Sequence, residues 1–581
     1  MRRCLFLPCL TFLVGLLTFP ALLRADDYPL TTDSLPQPNV PRGEVTHATW
    51  KSRVFPGTER DYWVYVPKQY TANKPACVMV FQDGGGFQDR NGGFRVPVVF
   101  DNLIHKKEMP VTIAIMINPG VVAAPRSGAL PRFNRSFEYD APTDQYARFL
   151  LEEILPEVGK KYNLTQDPAG RGLCGASSGG ICAFTTAWER PDQFSKVISF
   201  VGSFTNLRGG HAFPSLIRKY EPRPIRVYMQ DGSHDQDIYS GSWFIGNNDV
   251  AAALRFGRYD MQYVVGTGGH DGIQGTAVLP EALKWLWRDY PASLRLPEST
   301  PQPIMEVVKP GEEWQPIEGD YTAPQGVAAD ATGTVFFSDS QTHCLYKIGE
   351  EGRAFRFREN MGKPGSMAFG PDGRLYVSLP EKKQVVAYGE DKKEVVFLKG
   401  VALESITLNQ KGELYGVSAQ DGKIWFASKE GRRRQVEEEP QGASGVTLTP
   451  DQTLLHVTYR REKLAYSFHI EPNGNLSQKQ AYFDLHIPYG ETLTGAGGMT
   501  TDRQGRLYVA SSAGVQVCDQ AGRVIGILSN PKRTPTKEVT FGGTGHDTLY
   551  VVAGNKIYRR KTKVQGVSSF QEPFQPPSPR L

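Results

Sequence analysis

Ser177 stands in the run Gly175-Ala176-Ser177-Ser178-Gly179-Gly180, between a short apolar stretch, Arg171 to Cys174, and an apolar stretch of helical period, Ile181 to Trp188. A serine set among glycines at a strand-to-helix junction is presented on a sharp bend, with the amides of the following helix beside its hydroxyl. Such a hydroxyl is a weak nucleophile until a neighbouring base takes its proton, and that base needs a third group to orient it. Between Ser177 and residue 291 the only histidines are His211, His234 and His270. His270 follows the strand-like Met261 to Val265 and the loop Gly266-Thr267-Gly268-Gly269, in the order nucleophile, acid, base that this motif carries. It is the expected base. The acid is expected in Gln230-Asp231-Gly232-Ser233-His234-Asp235-Gln236-Asp237, with Asp235 first and Asp237 its near alternative, while Asp231 reads as half of an Asp-Gly turn. Donors for a developing oxyanion are expected from the backbone of Ser178 and from the glycine-rich turn after Phe81, at Gly84 and Gly85. The chemistry is acyl transfer.

The elements that must position these residues alternate. Tyr62 to Val66, Cys77 to Phe81, Val111 to Ile117, Arg171 to Cys174, Val197 to Val201, Ile225 to Met229 and Met261 to Val265 read as strands. Tyr146 to Tyr162, Val250 to Phe256 and Leu279 to Tyr290 carry helical periodicity. That alternation predicts a mostly parallel sheet with helices on both faces, over residues 26–290. A proline-rich stretch, 291–323, reads as a linker. Beyond it a unit of small apolar residues, a turn with Asp or Gly, and a strand recurs six times. The copies centre on Phe336, Tyr376, Tyr415, His456, Tyr508 and Tyr550, at spacings of 40, 39, 41, 52 and 42 residues. Repeats near 40 residues match four-stranded blades, so 324–560 is expected to form a six-bladed propeller. Asp330, Asp372, Asp451 and Asp502 recur at one place in their blades and read as turn residues. The proline-rich end, 561–581, reads as a disordered tail.

Of 581 residues, 66 are Lys or Arg and 61 Asp or Glu, and the net charge of +5 gives no footprint for nucleic acid. Arg2 and Arg3 precede an apolar run from Cys4 to Leu23, and Leu23-Arg24-Ala25 puts a small residue at its end before Asp26 and Asp27, the pattern of a secretory leader over residues 1–25. A secreted or periplasmic protein is expected, without stable membrane insertion once the leader is removed. Cys77, Cys174, Cys182, Cys344 and Cys518 have no metal-type spacing and read as buried apolar residues.

The runs Tyr62 to Pro67, Val80-Phe81-Gln82-Asp83-Gly84, Val98 to Ile104, Asn118-Pro119-Gly120, Gly175 to Gly180 and Gly268-Gly269-His270-Asp271 resemble the esterase group that contains enterochelin and feruloyl esterases. The resemblance covers about 43–290. It implies an α/β-hydrolase that cleaves carboxylic esters through an acyl-serine, with Ser177 as nucleophile, Asp235 as acid and His270 as base. Gly497-Gly498-Met499-Thr500-Thr501-Asp502, Gly505 to Ala510 and Thr540-Phe541-Gly542-Gly543 are similar to the gluconolactonase and senescence-marker propellers. Those lactonases hold a divalent cation through Glu, Asn and Asp side chains. The matching positions here are Gln325, Ser444 and Gly497, which cannot supply the anionic oxygens a hard cation requires, so no metal and no cofactor is expected. The chain is therefore expected to be α/β plus all-β, an exported serine esterase acting on a small-molecule or glycan-linked ester, with a propeller that binds or positions substrate. Two alternatives stand beside it: a metal-dependent lactone hydrolase in the propeller, and a non-catalytic carbohydrate-binding protein.

Overall fold

The computed structural model describes residues 28–296, 300–418, 420–438 and 442–579. The leader expected at 1–25 lies outside them. In the first half, eight strands form the body of one sheet, in the order Asp260–Gly266, Arg226–Gly232, Lys196–Phe200, Arg171–Ala176, Cys77–Gln82, Thr112–Ile117, Glu59–Val66 and Glu44–Lys51. The first six run parallel, and the last two pair antiparallel at one edge. Parallel strands covered on both faces read as continuous apolar runs. In Cys77–Gln82, accordingly, Val78 and Val80 enter the core on one face, and Met79 and Phe81 enter the core on the other.

The first core lies under the helices Ser178–Glu189 and Trp243–Phe256, the second under Val96–Lys106 and Ile273–Trp287. The helical segment read at Tyr146 to Tyr162 is two short α-helices, Gln145–Phe149 and Leu155–Gly159, joined by a π-turn at Leu150–Ile154. Sequence periodicity missed the helix Val96–Lys106, which begins with Pro97 in its first turn.

The second half is a closed ring of six sheets. Their innermost strands are Pro324–Ala329, Met367–Phe369, Ser405–Leu408, Ala443–Leu448, Met499–Asp502 and Thr536–Gly542. The repeat read from sequence is thus the inner strand pair of each blade. Asp330, Asp372, Asp451 and Asp502 each accept a backbone N–H two residues on through Oδ1, which closes the turn. The longest spacing, 52 residues, reflects the long connection between the strands Leu476–Asp484 and Met499–Asp502.

Two segments differ from their sequence reading. The 291–323 stretch is no free linker: Ile304, Val307 and Val308 are buried against the propeller. Gln315–Pro316 then pairs with Lys556–Lys561 as the outer strand of the last blade, joining an early strand to a late one and closing the ring. The described part of the tail read at 561–581 is packed against the propeller. Gly566–Val567 pairs with Thr501–Asp502, and Phe574 N–H donates to Pro450 O at 3.1 Å. Backbone pairing and the apolar Phe570, packed near Phe369, outweigh the solvating effect of the prolines.

The halves are joined by polar contacts. Arg560 grips Glu221 with two 2.6 Å bonds, and Tyr220 Oη donates to Ala513 O at 3.1 Å.

Candidate active site

Ser177 falls between the strand Arg171–Ala176 and the helix Ser178–Glu189 with φ 59° and ψ −124°. A non-glycine residue held there is strained, and the surroundings must over-determine it. They do so through Ser177 N–H, which donates to Phe200 O at 2.9 Å, and Ser177 O, which accepts from Gly180 and Ser203. Gly175 is required by close approach, because a Cβ there would lie 2.3 Å from the Gly179 backbone.

His270 Nε2 lies 2.8 Å from Ser177 Oγ, and His270 Nδ1 lies 2.6 Å from Asp235 Oδ1. The Asp235 carboxylate is fully buried and the imidazole about a quarter exposed. Burial works to raise the Asp235 pKa, but bonds from His270 and Asp231 hold it below the usual carboxylate range. With Nδ1–H donated to Asp235, Nε2 is left as the acceptor for the serine proton. The Trp243 indole stands edge-on to the imidazole at 5.5 Å and donates Nε1–H to Ser203 Oγ, itself 3.3 Å from Ser177 Oγ.

The alternatives lie elsewhere. Asp237 is exposed in a two-residue ladder with Gly241–Ser242, His211 is exposed in a 3-10 turn, and His234 Nδ1 bonds Thr267 O at 2.7 Å. Asp231, read as a turn residue, is completely buried.

Of the expected oxyanion donors, Ser178 and Gly84 each open a helical turn, so their amides have no acceptor within it. Gly84 cannot carry a side chain: a Cβ would lie 2.2 Å from the Met116 carbonyl carbon. Gly85 is a correction. Its N–H donates to Asn118 Oδ1 at 2.9 Å and is not available to an oxyanion; Asn118, 33 residues away, gave no local signal of this.

Sequence reasoning also missed Arg135. Its Nε and Nη2 grip the two oxygens of Asp83 at 2.9 and 2.8 Å, and Nη1 donates to Ser178 Oγ at 3.0 Å. One guanidinium thereby ties the Gly84 turn to the start of the Ser178 helix.

In the propeller the three positions matching the lactonase cation set do not fit a metal. Gln325 Nε2 faces Ser340 Oγ, Ser444 Oγ donates to Ala496 O at 2.6 Å, and a side chain at Gly497 would strike Lys537 O. Among the described residues, no three His, Cys, Asp or Glu side chains converge for a cation.

Comparison with known proteins separates the same two halves. Residues 53–256 match the family model described as "Putative esterase", and 402–555 match the SMP-30/Gluconolactonase/LRE-like region. The chain thus joins an esterase-family region to a gluconolactonase-like one. It is 23% identical over 294 residues to a gluconolactonase of Zymomonas mobilis, across 48% of this chain and 76% of that protein. It is 23% identical over 261 residues to the iron(III) enterobactin esterase of Escherichia coli, across 43% of this chain and 59% of the other. A solved enterobactin esterase of Shigella flexneri superposes with a TM-score of 0.35 at 20% identity, over 44% of this chain and 62% of that one.

Proposed function

We propose that the chain is an exported serine esterase whose first half is an α/β-hydrolase domain and whose propeller positions the substrate. The observation that carries this is the unbroken hydrogen-bond chain from Ser177 Oγ through His270 to Asp235, at a strained strand-to-helix bend. Ser177 Oγ attacks the ester carbonyl as His270 Nε2 takes its proton. The oxyanion is met by the amides of Ser178 and Gly84. The imidazolium, stabilised by Asp235, returns the proton to the departing alcohol and leaves an acyl-serine. Water, deprotonated by His270, then attacks the acyl carbon, and the carboxylic acid leaves as Ser177 recovers its proton. The substrate class is a small-molecule or glycan-linked carboxylic ester, and the protein works outside the cytoplasm, as the basic-apolar pattern of residues 1–25 implies.

The match of 402–555 to a gluconolactonase-like region favours a second reading, a lactone hydrolase seated in the propeller. Against it stand Gln325, Ser444 and Gly497, which offer no anionic oxygen at the three positions.

One experiment separates these. The full-length protein is screened with acetylated and feruloylated glycans, siderophore esters, aryl esters and a gluconolactone, with and without EDTA, beside Ser177→Ala. Ester cleavage insensitive to EDTA and reduced by about 10³-fold or more in Ser177→Ala is the expected result. Lactone cleavage lost to EDTA and untouched by Ser177→Ala would establish the second reading instead. Silence toward every ester and toward a serine-directed phosphonate would leave a binding protein.

A further inference from the structure

Two acidic oxygens are buried beneath the Ser177–His270–Asp235 chain without a donor. Asp235 Oδ1 faces His270 Nδ1 and also accepts Gln236 N–H at 2.6 Å, whereas its Oδ2 is buried and unpaired. Asp231, four residues earlier at the end of the strand Arg226–Gly232, accepts Gly232 N–H on Oδ1 at 2.9 Å. Its own Oδ2 is likewise buried and unpaired. The two carboxyl groups are hydrogen-bonding neighbours. Two carboxylates in that position would repel each other and leave two buried acceptors unsatisfied. A single proton between them removes both difficulties.

Besides Asp235, the groups packed around Asp231 are Asn247 and Tyr263. Asn247, from the helix Trp243–Phe256, lies beside Asp231 but spends its Nδ2 hydrogens on Gly202 O at 2.8 Å and Trp243 O at 3.0 Å, and its Oδ1, buried without a donor, can only accept. Tyr263, on the neighbouring strand Asp260–Gly266, has a buried hydroxyl and feels Asp231, Asp235 and Arg255. The imidazole beyond Asp235 is His270, and His234 on the connecting loop is turned to Thr267 O. None of these is a cation in contact with Asp231.

We propose that Asp231 is a positioning residue that remains a neutral carboxylic acid at pH 7 and donates its proton through Oδ2 to Oδ2 of Asp235, fixing the carboxylate that orients His270. The assignment rests on the esterase reading above. Burial first, and Asp235 second, push the Asp231 carboxyl up to about 9. Above that pH the donor is lost, a second negative charge appears beside the first, and the orientation of Asp235 is no longer held.

The test is the rate at which a fluorophosphonate labels Ser177 in the full-length protein between pH 6 and 10.5. Wild type is expected to lose rate above about pH 9, where Asp231 ionises. Asp231→Asn keeps a neutral donor, so it should label within roughly fivefold of wild type at pH 7 and show no alkaline fall, while Asp231→Ala is slower by about tenfold or more. A second measurement covers the possibility that the alanine variant misfolds. A buried acid protonated in the native state but ionised when unfolded costs stability as pH rises from about 4 to about 9. The Tm advantage of Asp231→Asn over wild type should therefore widen across that window. An alkaline fall that persists in Asp231→Asn, or a Tm difference independent of pH, overturns the proposal. Labelling that survives Ser177→Ala overturns the esterase reading instead.

Discussion

Tyr489, carried by the propeller, lies against Gly209, carried by the esterase half, so closely that a Cβ on Gly209 would come 2.8 Å from the Tyr489 ring. Gly209 belongs to the segment that follows the strand Lys196–Phe200 and that also brings Ser203 to Ser177 Oγ. Its neighbour Arg208 stacks over Phe137 and donates to Ser136 Oγ at 3.4 Å, next to Arg135. The long connection before Met499 therefore touches, from the propeller side, the segment that carries Ser203, and Tyr489, Leu493 and Phe137 are all exposed.

From this contact we expect Tyr489→Ala to raise KM for bulky esters by about 5- to 30-fold, the loss of one aromatic contact, and to leave 4-nitrophenyl acetate within about twofold. Steady-state kinetics on the two substrates checks it. Equal effects on both would mean that the propeller loop is a structural support and does not touch the substrate.

Arg135 makes a different demand. Its pair with Asp83 is partly exposed, with the side chains 40% and 30% accessible, so the ion pair itself adds little stability. On the esterase reading its effect is on position, because it holds together the turn and the helix whose Gly84 and Ser178 amides are proposed to meet the oxyanion. Arg135→Ala is expected to lower kcat by about 10- to 100-fold with little change in Tm, and Arg135→Lys should not restore it, because a point charge cannot grip Asp83 and Ser178 together. Paired kcat and Tm measurements decide; a fall in Tm with kcat preserved would make Arg135 a stabilising residue only.

The C-terminal segment supplies a stability test. Gly566–Val567 adds a strand to the fifth blade, Thr407 Oγ1 donates to Ser569 Oγ at 3.1 Å, and Gln452 Nε2 donates to Ser569 O and Gln571 O. Truncation after Val564 removes these bonds and exposes the apolar surface that Phe570 covers. It should lower the propeller transition by several degrees while leaving phosphonate labelling of Ser177 unchanged, as calorimetry and labelling would show. An unaltered transition would return the segment to its reading as a passive tail.

What the sequence made legible was whatever depends on local spacing. Glycines around Ser177 at a strand-to-helix junction, and apolar triplets every 40 residues or so, are local patterns with a direct geometric cause. Asp235 and Asp237 sit two residues apart on one loop, and only the path of that loop brings one of them to His270. Gly84 and Gly85 are adjacent, yet Asn118 claims the amide of one. Arg135 reaches Asp83 across 52 residues, for which no periodicity prepares the reader. The tail misled because proline content reports solvation of a free chain, whereas its order comes from a partner strand and from Phe570 and Phe574. The two aromatics were the available signal.

Two buried histidines, one in the propeller and one at the junction of the halves, make stability sensitive to acid. Burial pushes His456 down to about 4; its ring is packed on Phe483 and its Nδ1 has no partner. Burial, and then the Lys219 ammonium that donates to its Nε2 at 2.7 Å, push His486 down to about 4 at the junction of the two halves. Both histidines titrate near 6.5 when unfolded, so the unfolded chain binds protons first as pH falls. Stability contributed by the neutral rings is intact above about pH 6.5 and is lost progressively toward pH 4. Carboxylates held low, such as Asp339, begin to cost stability only below about 4, whereas Asp231, pushed up to about 9, and Glu538, pushed up to about 8 by burial and then by Glu404, add stability as pH falls through the same interval, so the histidine contribution is read from the variants against wild type. Calorimetry from pH 7 to 4.5 should show the propeller transition of His456→Leu gaining on that of wild type as pH falls. His486→Gln, which still offers Lys219 an acceptor, should flatten the loss of coupling between the halves. A slope unchanged in the double variant would show that the acid sensitivity lies with other groups.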